Sequence, residues 1–166
     1  MKLWFPNSIR WSIFIFGLTV LLACIFSVAS TTILEGVGWG IGMLIVLIIV
    51  LVGIVFDMMG IASTSAQERP FHAMAAERVS GARHAIRILR NADRFANFCN
   101  DVIGDICGII SGAASAIVVI KLFSAGVDAS ANGPWYTIVN VAFTALVSGL
   151  TVGGKALGKS IAIYNA

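Results

Sequence analysis

Three carboxylates sit among apolar residues: Asp57, Asp101 and Asp105. A carboxylate at the centre of a membrane span costs at least about 2.5 kcal/mol, so each is a functional candidate if its surroundings are lipid. Asn97, Asp101 and Asp105 recur at i, i+4 and i+8, which makes one stripe on a helix, with Asn100 and Gly104 alongside. Carboxylate and amide oxygens are the donors that a hard cation such as Mg²⁺ accepts. Ser63, Thr64 and Ser65 follow Asp57 and read either as helix caps or as further oxygen ligands. A second polar series, Asn140, Thr144, Ser148, Thr151, Lys155 and Lys159, recurs at steps of four or three. Those oxygens could line an access route, or they could serve hydrogen bonding between helices. Lys155 leaves a further alternative open, since it could simply neutralise Asp101 or Asp105 in a packing ion pair.

The elements that must carry these residues are membrane helices. Of 166 residues 58% are apolar and only 11% charged, and the mean hydropathy is +0.95. An ordinary soluble domain carries roughly a quarter charged residues, so water cannot be the main solvent here. About 20 apolar residues cross a bilayer. Four stretches qualify, at about 11–29, 38–62, 98–123 and 135–157. The first is longer than a signal-peptide core and is expected to be retained. Ten of the eleven bases lie at the N-terminus, in the 63–97 segment or at the C-terminus, and only Lys121 lies on the other side. Because Lys and Arg stay inside, both termini are expected in the cytoplasm of a plasma (inner) membrane protein. Trp4, Trp11, Trp39 and Trp135 fall at span ends, where amphipathic rings are stable.

Between the second and third spans, residues 70–96 read as a cytoplasmic juxtamembrane helical hairpin. Arg83, Arg87, Arg90 and Arg94 share one face, Pro70 marks a start and Gly81 a break. The pattern fits a helix lying at the inner interface, or equally a solvated basic connector that enforces topology. The fold class is therefore an all-α membrane protein with four transmembrane helices in a single transmembrane domain, 1–166. Gly104, Gly108 and Gly112 form a small-xxx-small face on which another helix could pack closely.

Other chemistry is weakly signalled. His72 and His84 have no zinc-ligand partner at suitable spacing, and Cys99 and Cys107 read as small apolar fillers. Neither a nucleophile elbow nor a Walker loop nor a dinucleotide fingerprint occurs, so enzymatic activity is not expected. A net charge of +3, already explained by topology, gives no reason to expect nucleic-acid binding.

The order of these features resembles the transmembrane domain of the cyclin-M/CorC (CNNM) magnesium transporters, over about residues 40–162. The residues that carry the likeness are Gly60-Ile-Ala-Ser-Thr-Ser, then Cys99-Asn100-Asp101-Val-Ile-Gly-Asp105 after a basic hairpin, then Gly153-Gly154-Lys155-Ala-Leu-Gly-Lys159. The family shows Ser-x-Ser/Thr-Glu, Gly-Asn-Asn-x-x-Asn and Gly-Glu-x-x-Pro-Lys-x-x-Gly at these places. The resemblance implies a homodimer whose inward-facing cavity holds Mg²⁺, with Ser63 in the serine role and Asn100 as the first asparagine. The second asparagine falls on Gly104, the acid of the last helix on Thr151 and its proline on Gly154, so Asp101 and Asp105 would have to supply the missing oxygens. The family's paired nucleotide-binding CBS domains do not appear in 1–166, so nucleotide control would need a separate regulatory subunit.

These readings converge on one expectation, secondary transport of a divalent cation. Ser63, Asn100, Asp101 and Asp105 would be its ligands, and Asp57, Asn97, Gly104, Thr144, Ser148, Thr151 and Lys155 would line the route. The alternative is a non-transporting structural or accessory membrane subunit that packs through the Gly104–Gly108–Gly112 face.

Overall fold

A computed structural model describes residues 5–124 and 134–164. Lys2, Trp4 and the segment 125–133 with Asp128 lie outside the described residues. The described chain is helical throughout: α1 (Phe5–Glu35), α2 (Trp39–Ser65), α3 (Glu68–Ala76), α4 (Ala82–Leu89), α5 (Ala92–Asn97), a π-helical segment (Phe98–Gly104), α6 (Asp105–Ser124) and α7 (Pro134–Tyr164). Four stretches are long and apolar enough to cross a membrane: Ile9–Glu35, Trp39–Ser65, Ala92–Ser124 and Trp135–Tyr164. This is the architecture of a multi-pass membrane protein.

Each helix runs past the end expected for its span, and hydroxyl residues beyond the apolar core meet their hydrogen-bonding needs on carbonyls of the same helix, so they can be carried there without water. Thr31 donates to the Ser27 and Val28 carbonyls, and Thr64 to that of Ile61. The four long helices are apolar on nearly all sides, as a segment whose surroundings are lipid must be. Ile13, Phe16 and Val28 of α1 and Ile109 of α6 are accordingly exposed.

The chain divides into two compact units. In the unit built from 1–50 and 106–148, the core is Leu34, Val46, Val50, Ala114, Val118 and Val119 with the buried hydroxyls of Ser111 and Ser115. Gly42 gives α6 its close approach, since a Cβ there would lie 2.8 Å from a Val118 methyl. Gly36 and Gly38 follow the end of α1 at Glu35, and Lys121 caps it. Its ammonium donates to the carbonyls of Leu34, Glu35 and Val37 at 2.5, 2.8 and 2.7 Å. An ammonium has three protons, so this one is fully used, and a cation at a helix C-terminus also meets the favourable end of the dipole. Lys121, the one base that the charge pattern set apart from the other ten, is thereby engaged.

The unit built from 51–105 and 149–166 holds the rest of α2 and α7, the short helices and the π segment. α3 packs against α4, and Arg90 donates to Glu68 at 2.7 Å while His72 lies 3.0 Å from the same oxygen. The Arg90 guanidinium, aided by His72, holds the Glu68 carboxyl below the usual range against a smaller opposing effect of burial. α3 begins at Glu68, so Pro70 falls in its first turn. Gly81, at φ 92°, caps the start of α4, a backbone conformation that glycine adopts without penalty.

Candidate functional site

The acidic residues lie in the second unit, and the helices there meet through reciprocal notches. Gly60 of α2 makes room for Asn100 of the π segment, whose Oδ1 would lie only 2.1 Å from a Cβ at residue 60. Gly104 makes room in return: a Cβ at that position would lie 3.6 Å from Asp57 Oδ1 and 3.3 Å from Lys155 Nζ. Asp57 and Gly60 are three apart, Asn100 and Gly104 four apart, so each helix offers a polar side chain and a gap on one face. α7 fits against α2 in the same way. A Cβ at Gly154 would meet Ile54 Cδ1 at 2.3 Å, and one at Gly158 would meet Met58 Cγ at 2.7 Å. The whole arrangement depends on positions where glycine lets backbones come close.

Asp57 is 3% exposed. Lys159 Nζ stands 3.4 Å from its Oδ2, yet that oxygen is buried and accepts no hydrogen bond. Asn100 Oδ1 is likewise buried and without a donor. Buried polar atoms are nearly always satisfied, and two unsatisfied acceptors in one unit need an explanation. Ser63 is buried as well, with its hydroxyl donated to the Gly60 carbonyl at 2.7 Å, which leaves its lone pairs available. The π turn adds to this, since such turns break the regular carbonyl ladder and often mark functional sites. The Gly104 carbonyl, at the end of that turn, accepts from Lys155 Nζ at 3.2 Å.

The stripe that the sequence singles out faces the other way. Asn97, Asp101 and Asp105 do share a face, but it is the exposed one. The face turned inward carries Cys99, Asn100, Val102 and Gly104, because small and apolar residues are what admit α2. Asp105 is 66% exposed and pairs with Lys155 at 3.5 Å, while the Lys155 side chain is 18% exposed. Asp101 is exposed. Of the expected ligands, then, Ser63 is buried and Asn100 half-buried with its Oδ1 covered, and Asp101 and Asp105 are not gathered with them. Asp57, expected only to line the route, is the buried carboxylate. Nothing in its own spacing marked it out, although its solitude in a 27-residue apolar helix was a signal.

The hydroxyl series on α7 divides between the units. Thr144 bonds to Asn140 Oδ1 at 3.4 Å and meets Ser115 of α6 at 3.4 Å, so this part serves helix packing. Ser148 is exposed, and Thr151 is partly buried. Along α6, a Cβ at Gly108 or Gly112 would meet nothing within 4 Å, so the close approach expected there is made at Gly104 alone among the three. Among the described residues no three His, Cys, Asp or Glu side chains cluster as a metal site. Any cation here would have to be held by a mixed set of carboxylate, amide, hydroxyl and carbonyl oxygens. No protein-family model, curated protein or solved structure matches this chain, and the likeness drawn from its motifs stands on those residues alone.

Proposed function

We propose that this chain is a multi-pass protein of the plasma (inner) membrane that binds a divalent cation, Mg²⁺ before others, and moves it by secondary transport. Both termini and α3 to α5 are cytoplasmic in this reading, on the strength of the arginine distribution. The observation that carries it is the pair of buried, unsatisfied acceptors, Asp57 Oδ2 and Asn100 Oδ1, at the glycine notches. A carboxylate and an amide oxygen out of water are poor as bystanders and good as ligands for a hard cation. Ser63 Oγ supplies a third oxygen, and Ser63 and Asn100 are two of the positions at which the chain resembles the magnesium transporters. The cation displaces Lys159 from Asp57. Because the Lys159 side chain is 46% exposed, its ammonium can swing to water or headgroups along its flexible stem. Asp101 and Asp105, exposed beside the notch, raise the local cation concentration at the mouth of the site.

The test is calorimetric titration of the purified protein with Mg²⁺. Wild type releases or absorbs heat with a saturable isotherm, Asp57→Asn and Asn100→Leu abolish it, and Asp101→Ala weakens it. Identical isotherms for wild type and Asp57→Asn overturn the proposal.

A second reading is favoured by the ion pairs Asp105–Lys155 and Asp57–Lys159 and by the open face at Gly108 and Gly112. In it the chain is a non-transporting structural or accessory subunit that docks on a second copy or another subunit, its acids held by lysine. Lys155→Met and Asp105→Leu would then each destabilise the fold, and the double variant would regain part of the loss. The transporter reading expects a folded but inactive Asp57→Asn protein instead.

A further inference from the structure

The turn between α3 and α4 forms an open pocket of about 330 Å³ in the second unit. Arg78, Arg83 and His84 line it together with Ser80, Val79 and the Gly81 backbone, and no carboxylate does. None of these three basic side chains makes an ion pair among the described residues, whereas Arg90 nearby is engaged by Glu68. The backbone takes an unusual course to bring them together. Arg78 has φ 59°, the one positive value at a non-glycine among the described residues, and Gly81 follows at 92°. Gly81 is also the cap of α4, so the positive end of that helix's dipole lies at the pocket wall.

Unpaired guanidinium groups, a hydroxyl and a helix start around one hollow form a receptor for a phosphate oxyanion. The rim indicates the source of that phosphate. Val79, 42% exposed, lines the cavity itself, and Met74 and Ile88 are exposed on the two helices beside it. α3 begins three residues after the second apolar helix ends at Ser65, which tethers the turn to the membrane surface. We propose that this turn binds the phosphodiester headgroup of an anionic phospholipid, with Arg78 and Arg83 on the phosphate oxygens, Ser80 and His84 completing the contacts, and Val79, Met74 and Ile88 entering the acyl boundary. The site is separate from the cation notch and stands or falls independently of it.

The experiment uses the full chain in nanodiscs of phosphatidylcholine, alone or with increasing phosphatidylglycerol, and reads amide exchange over 78–85. The anionic lipid slows exchange there in wild type. A guanidinium that donates directly to the headgroup phosphate is worth about tenfold in affinity, so Arg83→Gln shifts the half-saturating phosphatidylglycerol fraction about tenfold and Arg78→Gln with Arg83→Gln further still. Arg83→Lys keeps most of the effect. Arg69→Gln, an equal loss of charge on α3 outside the cavity, shifts it by no more than the about fivefold that surface attraction alone supplies; a loss matching that of Arg83→Gln reduces the site to general charge attraction and overturns it. Equal protection by inorganic phosphate in pure phosphatidylcholine discs overturns the headgroup assignment, as does the absence of any difference between the two lipids. Circular dichroism of each variant confirms that helix content is kept.

Discussion

Adding one methyl group at residue 60 tests the packing on which the site depends. In Gly60→Ala the new Cβ would lie 2.1 Å from Asn100 Oδ1, 2.8 Å from its Cγ and 3.1 Å from its Nδ2. Two of these are nearer than real Cβ contacts come, and Cγ is the branch atom of the side chain, so rotating the amide does not relieve the clash. Asn100 must leave its rotamer or α2 must shift. Overpacking of this kind costs about 1–3 kcal/mol. In Asn100→Ala the obstructing atoms are gone, together with a buried acceptor that makes no hydrogen bond, so that change alone costs little. The Gly60→Ala penalty should therefore shrink to within about 0.5 kcal/mol of zero in the Asn100→Ala background, a coupling of at least about 0.5 kcal/mol. Unfolding in mixed micelles, followed by helicity for the four proteins, measures the cycle. Equal penalties in both backgrounds would refute the notch, because they would mean that Asn100 does not occupy the space above Gly60.

Two further outcomes follow from elements outside the notch. Lys121→Met removes three charge-assisted hydrogen bonds from the end of α1, and at about 1.5–3 kcal/mol for a bond to a charged group the loss should exceed 2 kcal/mol even if water replaces most of them; amide exchange at 35–40 should rise first. Acidification should loosen the pairing of α3 with α4. The Glu68 carboxyl is held below its ordinary pKa, so its contribution is present above that ordinary value and is lost as pH falls through the lowered one, and Glu68→Gln should abolish this dependence in an exchange titration of 68–90.

The four long helices were legible because apolar length alone decides them, and Gly81 announced the break between α3 and α4. The facing of the acids was not. The i, i+4, i+8 spacing of Asn97, Asp101 and Asp105 shows that they share a side, and spacing carries no statement of which side meets a neighbour. That was decided by Gly104, Cys99 and Val102, small or apolar residues that let α2 come near, and by Gly60 on the opposing helix. Asp57 was undervalued for the same reason, since its significance comes from a cross-helix register that a one-dimensional pattern does not contain. The π turn at 98–104 left no trace in residue type, because it is a change in backbone hydrogen bonding. Lys121 was visible as an exception to the charge rule, and its explanation needed the three carbonyls in place.

The Lys121 latch holds main-chain oxygens and no side chain. The residues at 35 and 37 could thus be exchanged for many others without slackening the grip, provided the chain still turns there, whereas Leu34 is fixed by its place in the core and the lysine by its three donated protons. Variation across this stretch should accordingly be lopsided, with a permissive receiver and an intolerant donor eighty-odd residues away.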